Sequence, residues 1–506
     1  MNDELRGLVD AWLDGTLAPA ERDRLEAILK SDPAARSYAV SCADLHASLR
    51  WPRRVGRATE HARIPLRHRL AGAAAAAVML AALLFFLARP SPTEVTGLAG
   101  ELWDDRGRPL QAGSTVTAGV LDLTHGLAQL RTPDGAVLIL EAPARFEVTG
   151  RRRAFLHRGR LVARVPAEAV GYTVETPETS VIDLGTEFGL GVDLAGTTTV
   201  QVFQGSVINR LKGGAREERL SAGESREIAK GLSEAVSKPM TFLRQLPPPD
   251  PGAWRLSYSK TVLDRVEALP ARGAVTVDGD LADWDLSARF TGRTVEPYGK
   301  TFYLDGALMY DAQHLYVSAH IGDPAPMRSR IDPLLDPSSG WKGGGLQIRL
   351  STSKDHGWPV RGEAGGLPGR AKEVGTRRED VSENLVHLTM WHFQPRAEAC
   401  LHLAYGMDLH GERINPAGWK GAYRPDGDGR GYSLEYAIPW ALLNRKGPPA
   451  PGDPLGCCFV VNWSDAEGLL WKGQLTEITN PAERGHRGNE GQTFSRAALW
   501  GRLQVR

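Results

Sequence analysis

The stretch from Ala71 to Ala88 constrains this chain more than any other part of its sequence. It holds about 18 uncharged, mostly apolar residues, which is just enough helix to cross the hydrocarbon core of a bilayer. A soluble helix rarely lacks a polar face for so long, although a buried Ala-rich core helix is the alternative. The sequence therefore predicts a membrane-spanning helix over residues 71–88, too far from the N-terminus to be an ordinary signal peptide.

Positive charge is concentrated on one side of this stretch. The preceding segment, residues 51–70, is rich in arginine, whereas only Arg89 follows closely. Because cytoplasmic flanks carry the excess of arginine and lysine, we expect the N-terminus in the cytoplasm and everything after about residue 90 outside. The predicted localisation is the inner membrane, with a single pass. The formal net charge of +1 gives no overall field that would draw nucleic acid.

Residues 1–50 have the pattern of three short helices. Apolar residues recur at helical spacing from Leu5 to Leu13, and a proline opens each of the next two predicted helices, at Pro19 and Pro33. Three helices of this length bury little surface alone, so we expect them to bind a partner. The apolar residues predicted to contact that partner are Leu5, Leu8, Trp12, Leu25 and Leu29.

Beyond the apolar stretch the pattern changes to the alternation that is typical of strands. Residues 97–237 and 270–506 have this pattern, and the proline-rich segment 238–269 between them predicts an extended linker. The predicted fold is therefore multidomain: a small all-α N-terminal unit, one transmembrane helix, an all-β domain, and an all-β sandwich at the C-terminus.

The sequence lacks the motifs of common catalytic sites. It has no nucleophile elbow, no phosphate loop and no zinc-protease helix, so we expect no enzymatic activity and no cofactor. Four cysteines are too few for a disulfide scaffold; either Cys400 pairs with Cys457 or Cys458, or these residues are buried thiols. The acidic turn at residues 278–280 either holds calcium or is an ordinary solvated turn.

Three segments of the first β block occur in a characteristic order. They are Tyr-Thr-Val-Glu-Thr-Pro at 172–177, Val-Ile-Asp-Leu-Gly-Thr-Glu-Phe at 181–188, and Thr-Val-Gln-Val-Phe-Gln-Gly-Ser-Val at 199–207. In this order they resemble the extracytoplasmic domain of the FecR family of sigma regulators, which makes residues 97–237 a FecR-like domain. We expect Phe188 in its core, and unusual backbone angles at Gly185 and Gly205.

A helical unit, one span and such a domain together resemble a membrane anti-sigma factor. The resemblance implies that residues 1–50 bind a cytoplasmic sigma factor. The zinc-binding variant of such units uses His-x3-Cys-x2-Cys, whereas only Cys42 and His46 are present here. Two ligands cannot complete a four-ligand zinc site, so we expect no metal in this unit.

The second β block contains Val-Asp-Gly-Asp-Leu-Ala-Asp-Trp at 277–284, His-Leu-Tyr-Val at 314–317 and Gly-Tyr-Ser-Leu-Glu-Tyr-Ala-Ile-Pro-Trp at 431–440. These segments resemble a family-9-like carbohydrate-binding module, which implies a glycan ligand. Sugar binding needs flat aromatic faces and a few polar groups. The candidate residues are Trp391, Trp463 and Trp471, with Asn462 or Glu467 as polar partners. Packing in the core is the alternative for each tryptophan, and the one that we expect for Trp284 and Trp440.

The order of these parts predicts a single-pass membrane sensor and regulator. Its outer domains would recognise a glycan, and its inner helices would bind a sigma factor. The alternative is a cell-surface carbohydrate-binding or adhesion protein with no signalling role.

Overall fold

The structure is a computed structural model that describes residues 3–50, 92–213, 217–248, 263–294, 300–324, 328–361, 382–480 and 496–506. The chain divides into two compact units, Met1–Arg89 and Pro90–Arg506. The predicted span at 71–88 and the basic segment 51–70 lie outside the described residues. Among the helices that are described, none is long and apolar enough to cross a membrane.

The N-terminal unit consists of three helices, as the sequence predicts: α1 (Asp3–Leu13), α2 (Pro19–Ser31) and α3 (Pro33–Arg50). The carboxylate of Glu21 accepts a hydrogen bond from the backbone N–H of Ala18 and so caps the start of α2. The carboxylate of Asp32 caps the start of α3 by accepting a hydrogen bond from the backbone N–H of Ala34 at 2.7 Å. The helices enclose a small apolar core made of Leu5, Leu8, Val9, Leu25, Ala35 and Ala39.

The first sheet of the second unit has 14 strands within the described residues. Its strands are β1 (Thr93–Asp104), β2 (Pro109–Leu110), β3 (Thr115–Val116), β4 (Gly119–Arg131), β5 (Val137–Gly150), β6 (Arg153–Arg164), β7 (Thr173–Glu175), β8 (Thr179–Asp183), β9 (Glu187–Val192), β10 (Thr198–Gln204), β11 (Ser206–Leu211), β12 (Glu217–Ser221), β13 (Ser225–Ala229) and β14 (Leu232–Ala235).

The first sheet runs in the order β12-β11-β8-β7-β6-β5-β4-β1-β2, with β9 and β10 branching from β6. The predicted features of its signature segments are confirmed. Phe188 is fully buried in the core of the sheet. Gly185 and Gly205 have φ angles of 90° and 77°, a region that glycine enters without steric cost.

The second sheet has 13 strands within the described residues. They are β15 (Arg265–Pro270), β16 (Phe290–Arg293), β17 (Tyr303–Tyr310), β18 (His314–Gly322), β19 (Gly345–Ser351), β20 (Leu385–Phe393), β21 (Glu398–Tyr405), β22 (His410–Ile414), β23 (Lys420–Pro425), β24 (Gly431–Pro439), β25 (Leu455–Ser464), β26 (Trp471–Glu477) and β27 (Gly501–Val505).

This sheet folds over itself as a sandwich. Its strand order is β22-β21-β20-β19-β25-β27-β15-β17-β18-β24-β23, so β27 and β15 join two halves. One core contains side chains from both halves, for example Leu346 and Val461 from one and Leu304 and Val317 from the other. Because each strand alternates its side chains, the residues between these core positions form the outer faces of the sandwich.

The segment predicted as a linker packs against both sheets where it is described. Met240 contributes to the sandwich core, and the N–H of Thr241 donates to the carbonyl of Pro395 at 3.0 Å. Arg244 forms an ion pair with Glu187 of β9 in the first sheet. Further along the same segment, β15 pairs in parallel with β17 and β27. Residues 238–248 therefore hold the two sheets together.

A buried group of four charged side chains also joins the two sheets. Glu141 of β5 and Arg160 of β6 meet Arg330 and Asp332, which lie between β18 and β19. Arg160 pairs with Glu141 at 2.8 Å and with Asp332 at 3.2 Å, and Arg330 pairs with Glu141 at 2.6 Å. Burial opposes ionisation of Glu141, but the two guanidinium groups outweigh it and lower its pKa. We call these four residues the interface charge cluster.

Candidate functional site

The structure places two of the three predicted platform tryptophans in the core. Trp391 is fully buried, and its indole N–H donates to the carbonyl of Ile331 at 2.9 Å. Trp463 is also fully buried, and its indole N–H donates to the carbonyl of Gly322 at 2.9 Å. Neither ring presents a face to a ligand, so the platform prediction is wrong for both. Each satisfies its single donor inside the sandwich.

Trp471 is the exposed member of the predicted set. It begins β26 and is 39% exposed. Its indole N–H donates to the side-chain carbonyl of Asn462 on β25 at 3.2 Å. The sequence analysis named both residues, and the structure brings them together. Glu467 lies in the turn that joins β25 to β26 and is half-buried there.

The hydrogen bonds continue across the sheet beyond Asn462. Its amide N–H donates to Gln347 of β19 at 3.2 Å, and the amide of Gln347 donates to the hydroxyl of Thr389 on β20 at 3.1 Å. We call Trp471, Asn462, Gln347 and Thr389 the amide ladder. It crosses four neighbouring strands on the outer face, because the adjacent residues Leu346 and Ile348 point into the core.

The amide ladder combines the two elements that sugar binding requires. An exposed indole offers an apolar face to a sugar ring, and the half-buried amide of Gln347 on the same face can exchange hydrogen bonds with sugar hydroxyls. Asn462 and Thr389 are buried and hold Trp471 and Gln347 in place. The sequence analysis missed Gln347 and Thr389. The signal that could have identified them is the polar residue between apolar neighbours in Leu346-Gln347-Ile348 and Leu388-Thr389-Met390.

A second exposed tryptophan lies just before β19 of the same sheet. Trp341 is 41% exposed and lies in the 3₁₀ helix Pro337–Lys342, which packs against β19, β20, β21 and β25. Gly340 allows this close packing, since a Cβ there would lie 2.5 Å from the ring of Trp391. The helix therefore presents Trp341 at the surface while its neighbour packs on a buried indole.

The acidic turn at residues 278–280 is held by hydrogen bonds. The buried carboxylate of Glu435 accepts the N–H groups of Asp278 and Gly279, each at 3.0 Å, and the indole N–H of Trp284 at 2.8 Å. Burial raises the pKa of Glu435, and these donors partly offset that effect. Asp280 forms an ion pair with Arg424. In the part of the chain that is described, no group of three or more potential ligands could hold a metal ion.

Next to this turn lies a cavity of about 440 Å³ on the other half of the sandwich. Charged residues that line it include Asp305, His320 and Asp426. His320 and Asp426 contact each other at 3.0 Å, and Asp305 accepts a hydrogen bond from Thr291 at 2.6 Å. Among the described residues, the cavity has no exposed tryptophan in its lining, whereas the amide ladder ends at the exposed ring of Trp471, so the cavity is the weaker candidate for a sugar.

The residues predicted to bind a partner fall into two groups in the N-terminal unit. Leu5, Leu8 and Leu25 are buried among the three helices, and Leu29 packs partly against them. The prediction is therefore wrong for the three buried leucines, because their own unit covers them. Trp12, in contrast, is 45% exposed and remains available to a partner.

The three C-terminal cysteines are free and buried, so the predicted disulfide is not formed. Burial raises the pKa of the thiols of Cys400 and Cys457, which keeps them protonated. The alternative of buried thiols therefore applies.

Residues 121–208 match the model of the FecR family, described as FecR protein. This confirms the FecR-like resemblance for that part of the first sheet. A comparison with curated proteins found no match.

Solved structures similar to this chain include two kinds of protein. A family-9 carbohydrate-binding module from Caldicellulosiruptor kristjanssonii in complex with glucose is 14% identical, with a TM-score of 0.30, over 48% of this chain and 95% of that one. A candidate anti-sigma factor from Parabacteroides distasonis is 22% identical, with a TM-score of 0.20, over 23% of this chain and 57% of that one. Both families named from the sequence are thus represented, but likenesses this weak establish no function.

Proposed function

We propose that this chain is a single-pass membrane sensor and regulator. In this proposal the sandwich binds a glycan outside the cytoplasm, the FecR-like domain transmits the signal, and the N-terminal helices bind a sigma factor. The observation that carries the proposal is the FecR match at residues 121–208, between a helical unit and a sandwich that displays the amide ladder. The membrane span, the topology and the absence of catalytic activity belong to the proposal.

Glycan recognition is assigned to the amide ladder. Trp471 would stack on the apolar face of a sugar ring, and Gln347 would bind its hydroxyls, while Asn462 and Thr389 position these two side chains. A ligand can change the state of the protein only by the free energy with which it prefers one state over another. The sensor function therefore requires that glycan binding and sigma-factor binding be coupled.

Two exposed tryptophans give matched tests of the two ends of the molecule. We expect Trp471→Ala in the full chain to weaken binding on a glycan array by about tenfold or more, because the stacking surface is lost. The same variant should still recover a sigma factor from the native cell. Trp12→Ala should do the reverse, losing the sigma factor and keeping the glycan.

The outcomes separate the alternatives. If the full chain binds no saccharide, glycan recognition is wrong. If glycan binding is present but no sigma factor is recovered with the wild-type chain, the regulator function is wrong and an adhesion protein remains. Turnover of any bound polysaccharide would contradict the expectation that the protein is not an enzyme.

A further inference from the structure

Arg349 is a buried cation that lacks an ion-pair partner in the part of the chain that is described. It lies on β19, two residues beyond Gln347, and therefore on the same outer face as the amide ladder. Its side chain is 5% exposed, and its Nε and Nη1 have no hydrogen-bond partner. No ion pair to Arg349 occurs among the described residues. Burial lowers its pKa to about 10, so the guanidinium remains charged at neutral pH.

Two histidines lie beside this arginine. His387 of β20 is directly opposite Arg349 in the antiparallel register. Neither of its ring nitrogens has a well-formed hydrogen bond to a described residue, although the backbone of Gly406 lies close enough to raise its pKa slightly against the effect of burial. His402 of β21 is opposite Thr389, the last member of the amide ladder. Burial lowers the pKa of both imidazoles, so at neutral pH each is uncharged and carries one N–H donor. The carboxylate of Glu412, 3.6 Å from Nε2 of His402, partly offsets this effect for His402.

Leaving such a group unpaired costs free energy. A buried charge is stable only when an opposite charge or a set of hydrogen-bond acceptors compensates it, and the fold supplies neither to the Nε and Nη1 of Arg349. A guanidinium binds oxyanions through parallel N–H groups, and imidazole N–H groups can add to that binding. An anion that enters between the sheet and the side chains covering Arg349 would supply these acceptors.

We propose that the amide ladder and Arg349 together bind an acidic saccharide. This inference rests on the proposed glycan recognition and names the class of glycan. The sugar ring lies on Trp471 and the ladder, and its carboxylate or sulfate group binds Arg349, about 7 Å further along β19. A neutral sugar would leave the charge of Arg349 uncompensated, which gives the site a preference for the acid.

The test compares ligands that differ only in charge. The full chain in detergent is titrated with an oligogalacturonate, its fully methyl-esterified form, a sulfated oligosaccharide and a neutral gluco-oligosaccharide. We expect the acid to bind about tenfold or more tightly than the ester, which corresponds to about 1.4 kcal/mol, because only the acid offers Arg349 a charged hydrogen-bond acceptor. The sulfated ligand shows whether the site accepts that oxyanion as well as a carboxylate.

Arg349→Gln is the matching protein variant. It should abolish the preference for the acid and leave binding of the neutral saccharide within about twofold, whereas Arg413→Gln should change neither. Arg413 is exposed and lies on β22, at the edge of the same sheet and separated from β19 by two strands. Without ligand, Arg349→Gln should unfold at the same temperature as the wild type or higher, because it removes an unpaired buried charge.

Three results would overturn the proposal. Equal binding of acid and ester by the wild-type chain rejects the acidic ligand while leaving glycan recognition intact. A large loss of thermal stability in Arg349→Gln would show that the arginine has a structural role. Binding of no saccharide at all rejects this proposal and the proposed function together. The comparison of acid with ester needs no variant, so it decides even if Arg349→Gln fails to fold.

Discussion

At the scale of single residues, burial determines the protonation of a histidine in the sandwich. The ring of His392 stacks on Tyr423 at 4.2 Å, and burial lowers its pKa to about 4. In the unfolded chain a histidine has a pKa of about 6.5 and binds a proton that the folded state does not bind. The stabilising effect is therefore complete above about pH 6.5 and is lost as the pH falls towards 4.

His392→Gln should reduce this acid sensitivity. The wild type should lose up to about 3 kcal/mol of unfolding free energy from this group, at about 1.4 kcal/mol per pKa unit. The measurement is urea unfolding of both chains at about pH 7 and about pH 4.5. His157→Gln, at a half-exposed position on the first sheet, is the control. An equal loss of stability in the wild type and His392→Gln would contradict the assignment.

At the scale of elements, the turn between β10 and β11 depends on Gly205. Its φ angle is 77°, and a Cβ there would lie 2.6 Å from the carbonyl oxygen of Gly185. Gly213 has a similar φ of 86° but nothing within 4 Å of its Cβ position. Gly213→Ala should lower the free energy of unfolding by about 1–2 kcal/mol, from the backbone angle alone. Gly205→Ala should cost about 1–3 kcal/mol more, because it adds a steric clash.

Thermal unfolding of the two glycine variants gives this comparison directly. Because the two glycines have similar φ angles, the difference between the two losses of stability measures the steric clash of a Cβ at position 205 with the carbonyl of Gly185. Equal shifts of the two midpoints would mean that the turn relaxes to accept the side chain.

The elements were predictable from sequence where their signals are local. The helices α2 and α3 each begin with a cap and a proline, α1 has apolar residues at helical spacing, and the strand segments around Phe188 alternate over short windows. Which tryptophans are buried and which are exposed could not be predicted from local patterns. Trp391 and Trp471 look alike in sequence, and only tertiary packing decides that the segment around Ile331 and Gly340 covers Trp391 while Trp471 stays 39% exposed.

The contact between the two sheets could not be predicted from the sequence either. Arg160 and Asp332 are separated by 172 residues, and no local sequence pattern predicts that these two buried charges form an ion pair. The proline-rich composition around residues 246–252 predicts an extended linker. It gave no sign that Met240 packs into the sandwich core or that Thr241 binds Pro395.

At the scale of the whole molecule, the interface charge cluster makes the two sheets depend on each other. Glu141 compensates both Arg160 and Arg330, and all three side chains are almost fully buried. Removing one partner from a buried ion pair leaves an uncompensated charge, at a cost of about 3–5 kcal/mol. Under the proposed function, a glycan bound to the sandwich would act on a body that includes the FecR-like sheet.

Glu141→Gln tests this dependence. The FecR-like sheet and the sandwich of the wild-type chain should unfold in one calorimetric transition, whereas the variant should show a lower midpoint and two separable transitions, because the sheets no longer stabilise each other. Glu217→Gln is the matched control, since Glu217 pairs with Arg210 at the surface of the first sheet and such pairs contribute about 0–1 kcal/mol. A single transition at an unchanged midpoint in Glu141→Gln would show that the two sheets are held together mainly by residues 238–248. In that case a glycan signal would have to pass through that segment.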